Sequence, residues 1–137
     1  MSQPNLRILI VDDNASDRTV ARSLVFRLKP ALVHEAENGS VAEGKLQTSF
    51  NIGKPYTLLI IDWNMPGTNG LKLLQCIRAN PKMKGIKIIV MTGTAAREVV
   101  EAAISNGADD FIVKPLEAKL LQQKIEKFMD LISSKPA

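Results

Sequence analysis

The 137-residue sequence contains only one cysteine, one histidine, one tryptophan and one tyrosine. The single cysteine, Cys76, cannot form an internal disulfide, which favours a reducing, cytoplasmic compartment. The single histidine, His34, lies in an apolar stretch without other metal-ligand residues, so we assign it no metal role. No apolar run is long enough for a signal peptide or a membrane span. We therefore expect a cytoplasmic protein that does not associate with membranes.

The composition is typical of a soluble globular domain. Hydrophobic residues make up 45% of the chain and charged residues 23%. A chain of this length buries roughly 68–70% of its unfolded surface, which is enough for a sizeable core. The net charge is +4, but the basic residues are spread along the sequence. Such a distribution indicates a solvated surface rather than a nucleic-acid site, so we expect no direct nucleic-acid partner.

Apolar runs of strand length alternate with amphipathic stretches of helix length. We predict strands at residues 6–12, 32–36, 56–62, 87–92 and 110–113, and helices at residues 16–28, 41–50, 71–80, 95–106 and 118–132. This alternation predicts an α/β fold with a parallel sheet. Ser40 and Glu43 fit a capping box that follows a turn at Asn38 and Gly39.

Charged residues follow three of the predicted strands. Asp12 ends the first strand and Asp13 follows it, Asp62 ends the third, and Lys114 follows the last. Ligands of parallel α/β sheets bind outside the carboxyl ends of the strands, so these residues predict a site. Two carboxylates about 4 Å apart repel each other by about 4 kcal/mol at an effective dielectric near 20, and therefore need a cation. Mg²⁺ suits a site made of oxygen ligands.

Four motifs in this order resemble the receiver domain of two-component response regulators, and most of all its single-domain, chemotaxis-type (CheY-like) members. The motifs are Asp12-Asp13, the segment from Asp62 to Gly70, the segment from Val90 to Gly93, and Val113-Lys114-Pro115. The resemblance covers roughly residues 6–132. It implies a flavodoxin-like, doubly wound sheet of five parallel strands in the order 2-1-3-4-5, with five helices. We expect one receiver domain over residues 1–137 and no output domain.

The resemblance also implies the chemistry of the site. Asp62 is expected to accept a phosphoryl group, while Lys114 and Thr92 neutralise the charge on its oxygens. Mg²⁺ is expected to bind Asp13, Asp62 and the backbone carbonyl of Asn64, with Asp12 acting largely through water. The expected protein is a phosphoacceptor switch that assists its own phosphorylation and dephosphorylation, and is not otherwise an enzyme.

Further residues are implied to serve signalling and structure. Thr92 and Phe111 are expected to switch together, and Asn64 and Thr94 to flank the path of the water that removes the phosphoryl group. Pro115 is expected to follow a cis peptide bond. Chemotaxis-type members often have an acid at the position of Thr94, so the pathway stays undetermined.

The expected partners are a histidine kinase or a histidine phosphotransfer protein, and an unknown downstream protein, with the chain itself a monomer. A phosphate sink or relay intermediate remains an alternative. A flavodoxin-like electron carrier is disfavoured because Asp12 and Asp13 would repel a flavin phosphate. A haloacid-dehalogenase-type phosphohydrolase is disfavoured because its two acids are spaced as Asp-x-Asp.

Two predictions concern charged residues outside the site. Asp109 and Asp110 precede the last predicted strand and are interpreted as solvated loop acids. Arg18, Arg22 and Lys29 are predicted to form a basic stripe on the first helix, which could meet an acidic patch on the phosphodonor. The apolar face of that helix is predicted to contain Val20, Ala21, Leu24 and Leu28.

Overall fold

The protein folds around one five-stranded parallel sheet. The computed structural model describes residues 3–65 and 70–133, with side chains described at positions 5–65 and 70–129. The strands are β1 (Gln3–Val11), β2 (Pro30–Ala36), β3 (Leu58–Asp62), β4 (Lys87–Thr92) and β5 (Asp110–Val113). Their order in the sheet is β2-β1-β3-β4-β5. The predicted α/β class and strand order are therefore confirmed.

Helices connect the strands and cover both faces of the sheet. They are α1 (Ala15–Phe26), α2 (Gly39–Asn51), α3 (Gly70–Ala79), α4 (Arg97–Ser105) and α5 (Ala118–Ser133), with a short 3₁₀ turn at Pro81–Met83. Within the described residues, no helix is long and apolar enough to cross a membrane.

The core consists of two apolar layers, one on each face of the sheet. Leu46 of α2 and Leu73 of α3 belong to one layer, whereas Ala21 of α1 and Leu121 and Ile125 of α5 belong to the other. All five residues of β3 are buried, because helices cover both of its faces. This burial explains the unbroken apolar run that ends at Asp62.

The start of α2 differs from the predicted capping box. The side chain of Asn38 accepts a hydrogen bond from the backbone N–H of Val41 at 2.9 Å, and the helix already begins at Gly39. Asn38 therefore caps the helix two residues before Ser40, the predicted N-cap. The prediction was wrong because Asn serves as an N-cap as well as Ser does.

Gly70 fixes how α3 leaves the end of β3. Its backbone N–H donates to the carbonyl of Trp63 at 3.0 Å. A Cβ atom at this position would lie 2.5 Å from the carbonyl oxygen of Asp62 and 2.7 Å from Cα of Trp63. Only glycine permits this approach. The predicted motif between Asp62 and Gly70 includes Pro66, Gly67, Thr68 and Asn69, which lie outside the described residues.

Asp109 and Asp110 are structural acids, so their interpretation as solvated loop residues was wrong. Asp109 accepts the backbone N–H of Ile88 at 2.8 Å and pairs with Arg78 at 2.9 Å. Asp110 begins β5, and its carboxylate pairs with Lys124 at 2.9 Å and Lys127 at 2.7 Å. These bonds hold the pKa of Asp110 below its usual value although burial acts to raise it. The two acids therefore attach β5 to β4 and α5.

The predicted basic stripe on α1 is also wrong. The helix ends at Phe26, and Lys29 follows it with a left-handed backbone (φ 54°). Arg18 and Arg22 both pair with Glu35 of β2, at 3.2 and 3.3 Å. The predicted apolar face is confirmed at Ala21, which is buried, and at Leu24 and Leu28, which pack against the core. It was wrong at Val20, which is exposed, and it lacked Val25, which is buried. The two arginines therefore join α1 to the edge strand instead of offering a free basic surface.

Candidate functional site

Three acidic side chains meet at the carboxyl end of the sheet. β1 and β3 are neighbours, and Val11 pairs with Ile61, so Asp12 and Asp62 lie side by side one residue further on. Carboxylate oxygens of Asp12, Asp13 and Asp62 all lie within 4.8 Å of one another. Asp12 and Asp62 are buried, whereas Asp13 is exposed. The sheet register thus creates a compact acidic group with one side open to solvent.

Lys114 neutralises part of this acidic charge. It follows β5, and its Nζ lies 2.8 Å from Asp12 Oδ2, 2.9 Å from Asp17 Oδ2 and 3.5 Å from Asp62 Oδ2. Burial acts to lower the pKa of Lys114, but hydrogen bonds to Asp12 and Asp17 and the charge of Asp62 outweigh it and raise the pKa. The ammonium is therefore charged at any physiological pH. The peptide bond from Lys114 to Pro115 is cis, as the resemblance implied.

Asp62 is the least firmly held of the buried acids. Both oxygens of Asp12 are engaged, one by the backbone N–H of Asn14 at 2.9 Å and one by Lys114. Asp62 has longer contacts, 3.3 Å to the backbone N–H of Asn64 and 3.5 Å to Lys114. Burial, followed by repulsion from Asp12, raises the pKa of Asp62 to about 6. Of the two buried acids, Asp62 therefore has the oxygens that are more available to a reacting group.

The donor set fits a hard divalent cation. Three carboxylates within reach of one another are oxygen ligands of the kind that Mg²⁺ prefers. Asp13 has no hydrogen-bond or ion-pair partner among the described residues, so its oxygens are available to a metal. The acidic group of this chain can therefore hold a metal ion.

Thr92 ends β4 beside the acidic group, but its hydroxyl is bonded locally. The hydroxyl donates to the carbonyl of Thr94 at 3.0 Å and accepts the N–H of Thr94 at 3.2 Å. Thr92 itself is buried, while Thr94 is exposed. The two threonines thus form a closed turn, and a different partner for Thr92 requires this turn to rearrange.

Phe111 lies in β5, which is the edge strand next to Thr92. Val90 pairs with Phe111 and Thr92 with Val113 in the β4–β5 register. The ring of Phe111 is half-buried, and the Nζ of Lys124 lies 5.2 Å from its centroid. The side chain is therefore neither locked in the core nor free in solvent.

One residue of the site was missed by sequence reasoning. Asp17 lies in the first turn of α1, where Asn14 caps the helix by accepting the N–H of Asp17 at 2.9 Å. Its carboxylate accepts a hydrogen bond from Nζ of Lys114 at 2.9 Å. The only sequence signal was an acid four residues after Asp13, which is also typical of an ordinary helix start.

Comparison with known proteins places these features in a family. The profile of the response regulator receiver domain matches residues 8–126. The chain is 32% identical over 128 residues to the chemotaxis protein CheY of Pseudomonas aeruginosa, covering 93% of this chain and 99% of that protein. It is 33% identical over 126 residues to CheY-3 of Vibrio cholerae, covering 92% and 93% of the two chains.

Solved structures agree with the sequence relatives. A CheY-like receiver domain protein of Methanospirillum hungatei superposes with a TM-score of 0.78 at 26% identity, covering 96% of this chain and 98% of that chain. CheY4 of Vibrio cholerae gives a TM-score of 0.80 at 24% identity, covering 89% and 97%. The profile match, the two sequence relatives and these structures together show that the chain belongs to the response regulator receiver domains of the CheY-like type, which act as phosphoacceptors in two-component signalling.

Proposed function

We propose that Asp62 is the phosphoacceptor of this chain, and that the phosphoryl group comes from a phosphohistidine of a histidine kinase or a histidine phosphotransfer protein. The observation that supports this most is the pairing of a buried, loosely held carboxylate with a lysine ammonium 3.5 Å away. Asp62 ends β3 and Lys114 follows β5, so the parallel sheet brings both groups to its carboxyl end.

The proposed reaction is a phosphoryl transfer between two nucleophiles. An oxygen of ionised Asp62 attacks phosphorus while the phosphorus–nitrogen bond of the donor breaks, and the bonding electron pair returns to the imidazole. A pKa of about 6 leaves most of the Asp62 side chains ionised at neutral pH. Mg²⁺ would neutralise charge on the transferring oxygens. Its ligands would be Asp13, Asp62 and the backbone carbonyl of Asn64, with Asp12 acting through water.

Lys114 and Thr92 are proposed to hold the phosphoryl group after transfer. The ammonium of Lys114 already lies near Asp62, so it needs only to exchange a carboxylate partner for a phosphoryl oxygen. Such charge-assisted bonds are about twice as strong as neutral ones. The hydroxyl of Thr92 would leave its bonds to Thr94 to do the same.

The output is proposed to be a protein contact that depends on phosphorylation. Movement of Thr92 would change the β4–α4 connection, and Phe111 on the neighbouring strand would follow it inward. Both changes reshape the surface formed by α4, β5 and α5. We include in the proposal that the chain acts as a single receiver domain over residues 1–137, which its coverage of 99% of the length of a CheY relative supports. We also propose that it acts as a monomer.

The phosphorylated state is proposed to decay through the chain's own site. Asn64 and Thr94 are small and uncharged, so neither would block a water that approaches the phosphoryl group or pair with its oxygens. Their size therefore favours rapid hydrolysis assisted by the same cation and lysine that support the transfer.

The labelling test compares the wild type with Asp62→Asn. Incubation with acetyl phosphate and Mg²⁺ should add one phosphoryl mass to the wild type and none to the variant. Chelation of Mg²⁺ by EDTA should prevent the labelling. Equal labelling of both proteins would overturn the assignment of Asp62, and labelling that ignores EDTA would overturn the role of the metal.

A further inference from the structure

A pocket of about 410 Å³ lies between α2 and the strands β1 and β2, and none of its described lining residues belongs to the acidic group. Its volume falls within the usual range of small-molecule sites, about 300–1,000 Å³. One wall is the face of α2 that contains Val41, Lys45 and Thr48, and Ile52 extends this wall beyond the helix. Leu32 of β2 adds to the apolar surface. The family's chemistry at Asp62 makes no use of this pocket.

The charged side chains of the pocket all have the same sign. Arg7, Lys45 and Lys54 line it, and none of its described lining residues is acidic. Within the described part of the chain, none of these three side chains forms an ion pair. The nearby carboxylate of Glu35 does not neutralise them, because it pairs with both arginines of α1.

The polar floor of the pocket is made by His34 and Tyr56. The hydroxyl of buried Tyr56 is hydrogen-bonded to Nδ1 of His34. Partial desolvation, followed by the charges of Lys45 and Arg7, holds the pKa of His34 below its usual value, so the ring is neutral at pH 7. If the Tyr56 hydroxyl donates to Nδ1, the proton of the neutral ring is on Nε2, which gives the pocket a further donor.

A glycine in the middle of α2 is part of what leaves the pocket open. Gly44 lines it, and a Cβ atom at this position would meet no atom within 4 Å. Glycine inside a helix lowers stability by roughly 0.5–1 kcal/mol relative to alanine. The folded structure itself gives no steric reason for glycine here, whereas a larger side chain would fill the pocket.

We propose that this pocket binds a small organic anion with an apolar body, such as an aromatic carboxylate. The apolar wall would cover the body, and Lys45, with Arg7 and Lys54, would hold the carboxylate. Three cations without an acidic partner favour an anion over a neutral or cationic ligand, and the pocket size favours a small molecule.

The test uses 2-naphthoate as the probe and 2-naphthylmethanol as its uncharged counterpart, added to ¹⁵N-labelled protein. The carboxylate should produce saturable shifts in the amide resonances of α2, of residues 52–54 and of Tyr56, and should leave the amide resonances of Asp62 and Thr92 in place. The alcohol should bind at least about tenfold more weakly, since a charge-assisted hydrogen bond contributes about 1.5–3 kcal/mol. No saturation at millimolar naphthoate, or equal affinity for both probes, would overturn the proposal.

Two pairs of variants locate the binding. Lys45→Gln should raise the Kd about tenfold, whereas Lys82→Gln, an exposed lysine of the 3₁₀ turn outside the pocket lining, should leave it unchanged. Gly44→Phe should abolish binding by filling the pocket, whereas Gly44→Ala should retain it. The phenylalanine variant should still be labelled by acetyl phosphate, which shows that it folds. Binding that is indifferent to both Lys45→Gln and Gly44→Phe would contradict the assigned pocket.

Discussion

Lys114 is the residue through which the charges of the acidic group are balanced. Its ammonium contacts carboxylates from three different elements, namely Asp12 after β1, Asp17 in α1 and Asp62 in β3. Removal of one member of a buried charge pair leaves an uncompensated charge and is strongly destabilising. In the absence of metal, the lysine therefore keeps two buried acids together at the end of the sheet.

The raised pKa of Asp62 predicts a pH dependence of stability in metal-free buffer. Burial and repulsion from Asp12 raise this pKa from 3.8 to about 6. Between these values the folded chain keeps a proton that the unfolded chain releases, so this contribution to the free energy of unfolding falls as the pH rises.

Asp62→Asn should therefore stabilise the protein at pH 7 by at most about 3 kcal/mol, the equivalent of two pKa units, and by much less at pH 4. Urea unfolding of the wild type and the variant at both pH values, in EDTA, measures the difference. A stabilisation that is the same at pH 4 and pH 7 would show that Asp62 has an ordinary pKa.

In the proposed mechanism, Asp17 competes with a phosphoryl group for Lys114. Its side chain is 44% exposed, and exposed ion pairs are worth about 0.2–1 kcal/mol. Asp17→Asn should therefore tighten the binding of beryllofluoride, a phosphoryl mimic, by up to about fivefold in the presence of Mg²⁺. Fluorescence of Trp63 reports the titration. Glu126→Gln, a change at an exposed acid of α5, serves as the control, and weaker binding by Asp17→Asn would mean that Asp17 supports the phosphoryl site instead.

At the scale of elements, the strands were more predictable than the ends of the helices. β4 and β5 have the predicted bounds, and β3 ends at Asp62 as predicted. In β3 and β4, burial on both faces requires a continuous apolar run, which the sequence shows directly. α4 begins at Arg97 rather than residue 95, with Ala96 at the N-cap and no side-chain hydrogen bond. Nothing local in the sequence marks that start, so the prediction missed it.

The contacts between elements were the least predictable part of the site. The order of motifs indicated that Asp12, Asp62 and Lys114 meet, since each follows a strand of one parallel sheet. Lys114 pairs with Asp17, which lies 97 positions earlier in the sequence. Arg18 pairs with Glu35, which lies 17 positions later. Such pairs depend on how α1 is rotated on the sheet, and helical periodicity alone does not set that rotation for charged residues.

The close contact at Gly70 predicts that α3 cannot approach the end of β3 this closely if a larger residue replaces the glycine. In Gly70→Ala the new Cβ would clash with backbone atoms of Asp62 and Trp63, which cannot yield as a flexible side chain would. We expect a loss of about 1–3 kcal/mol in the free energy of unfolding, with slower labelling of Asp62 by acetyl phosphate. Urea unfolding measures the first effect.

Gly85→Ala is the matched control, because a Cβ there meets no atom within 4 Å. The control should change stability by much less than Gly70→Ala does. Equal effects of the two substitutions would indicate that the segment after Asp62 adapts to α3, and that Gly70 does not set its position.

At the scale of the whole molecule, the acidic group lies at the carboxyl end of the sheet, and the proposed output surface is the face formed by α4, β5 and α5. Thr92 and Phe111 lie on neighbouring strands between them. A two-state element shifts from 1:99 to 99:1 with about 5.5 kcal/mol of differential stabilisation. Lys114 and Thr92 would each form a charge-assisted hydrogen bond to a phosphoryl group. Such bonds are strong enough to supply a large part of this free energy.

This arrangement predicts that Thr92 transmits the signal without being needed for phosphorylation. Beryllofluoride with Mg²⁺ should shift the amide resonances of α4, β5 and α5 in the wild type. Thr92→Ala should still bind beryllofluoride but lose most of these shifts, and Phe111→Ala should lose those in α5. Thr19→Ala, at an exposed threonine of α1, should behave as the wild type. Unchanged resonances in the activated wild type would instead indicate a phosphate sink or relay.

The central claim, that Asp62 forms an aspartyl phosphate, is tested most directly by chemical trapping. Protein phosphorylated with acetyl phosphate and Mg²⁺ is reduced with borohydride, which converts an aspartyl phosphate to homoserine, and its peptides are sequenced by mass spectrometry. The proposed mechanism predicts homoserine at position 62 and unmodified aspartate at positions 12, 13 and 17. Homoserine at any of those three positions, with Asp62 intact, would contradict it.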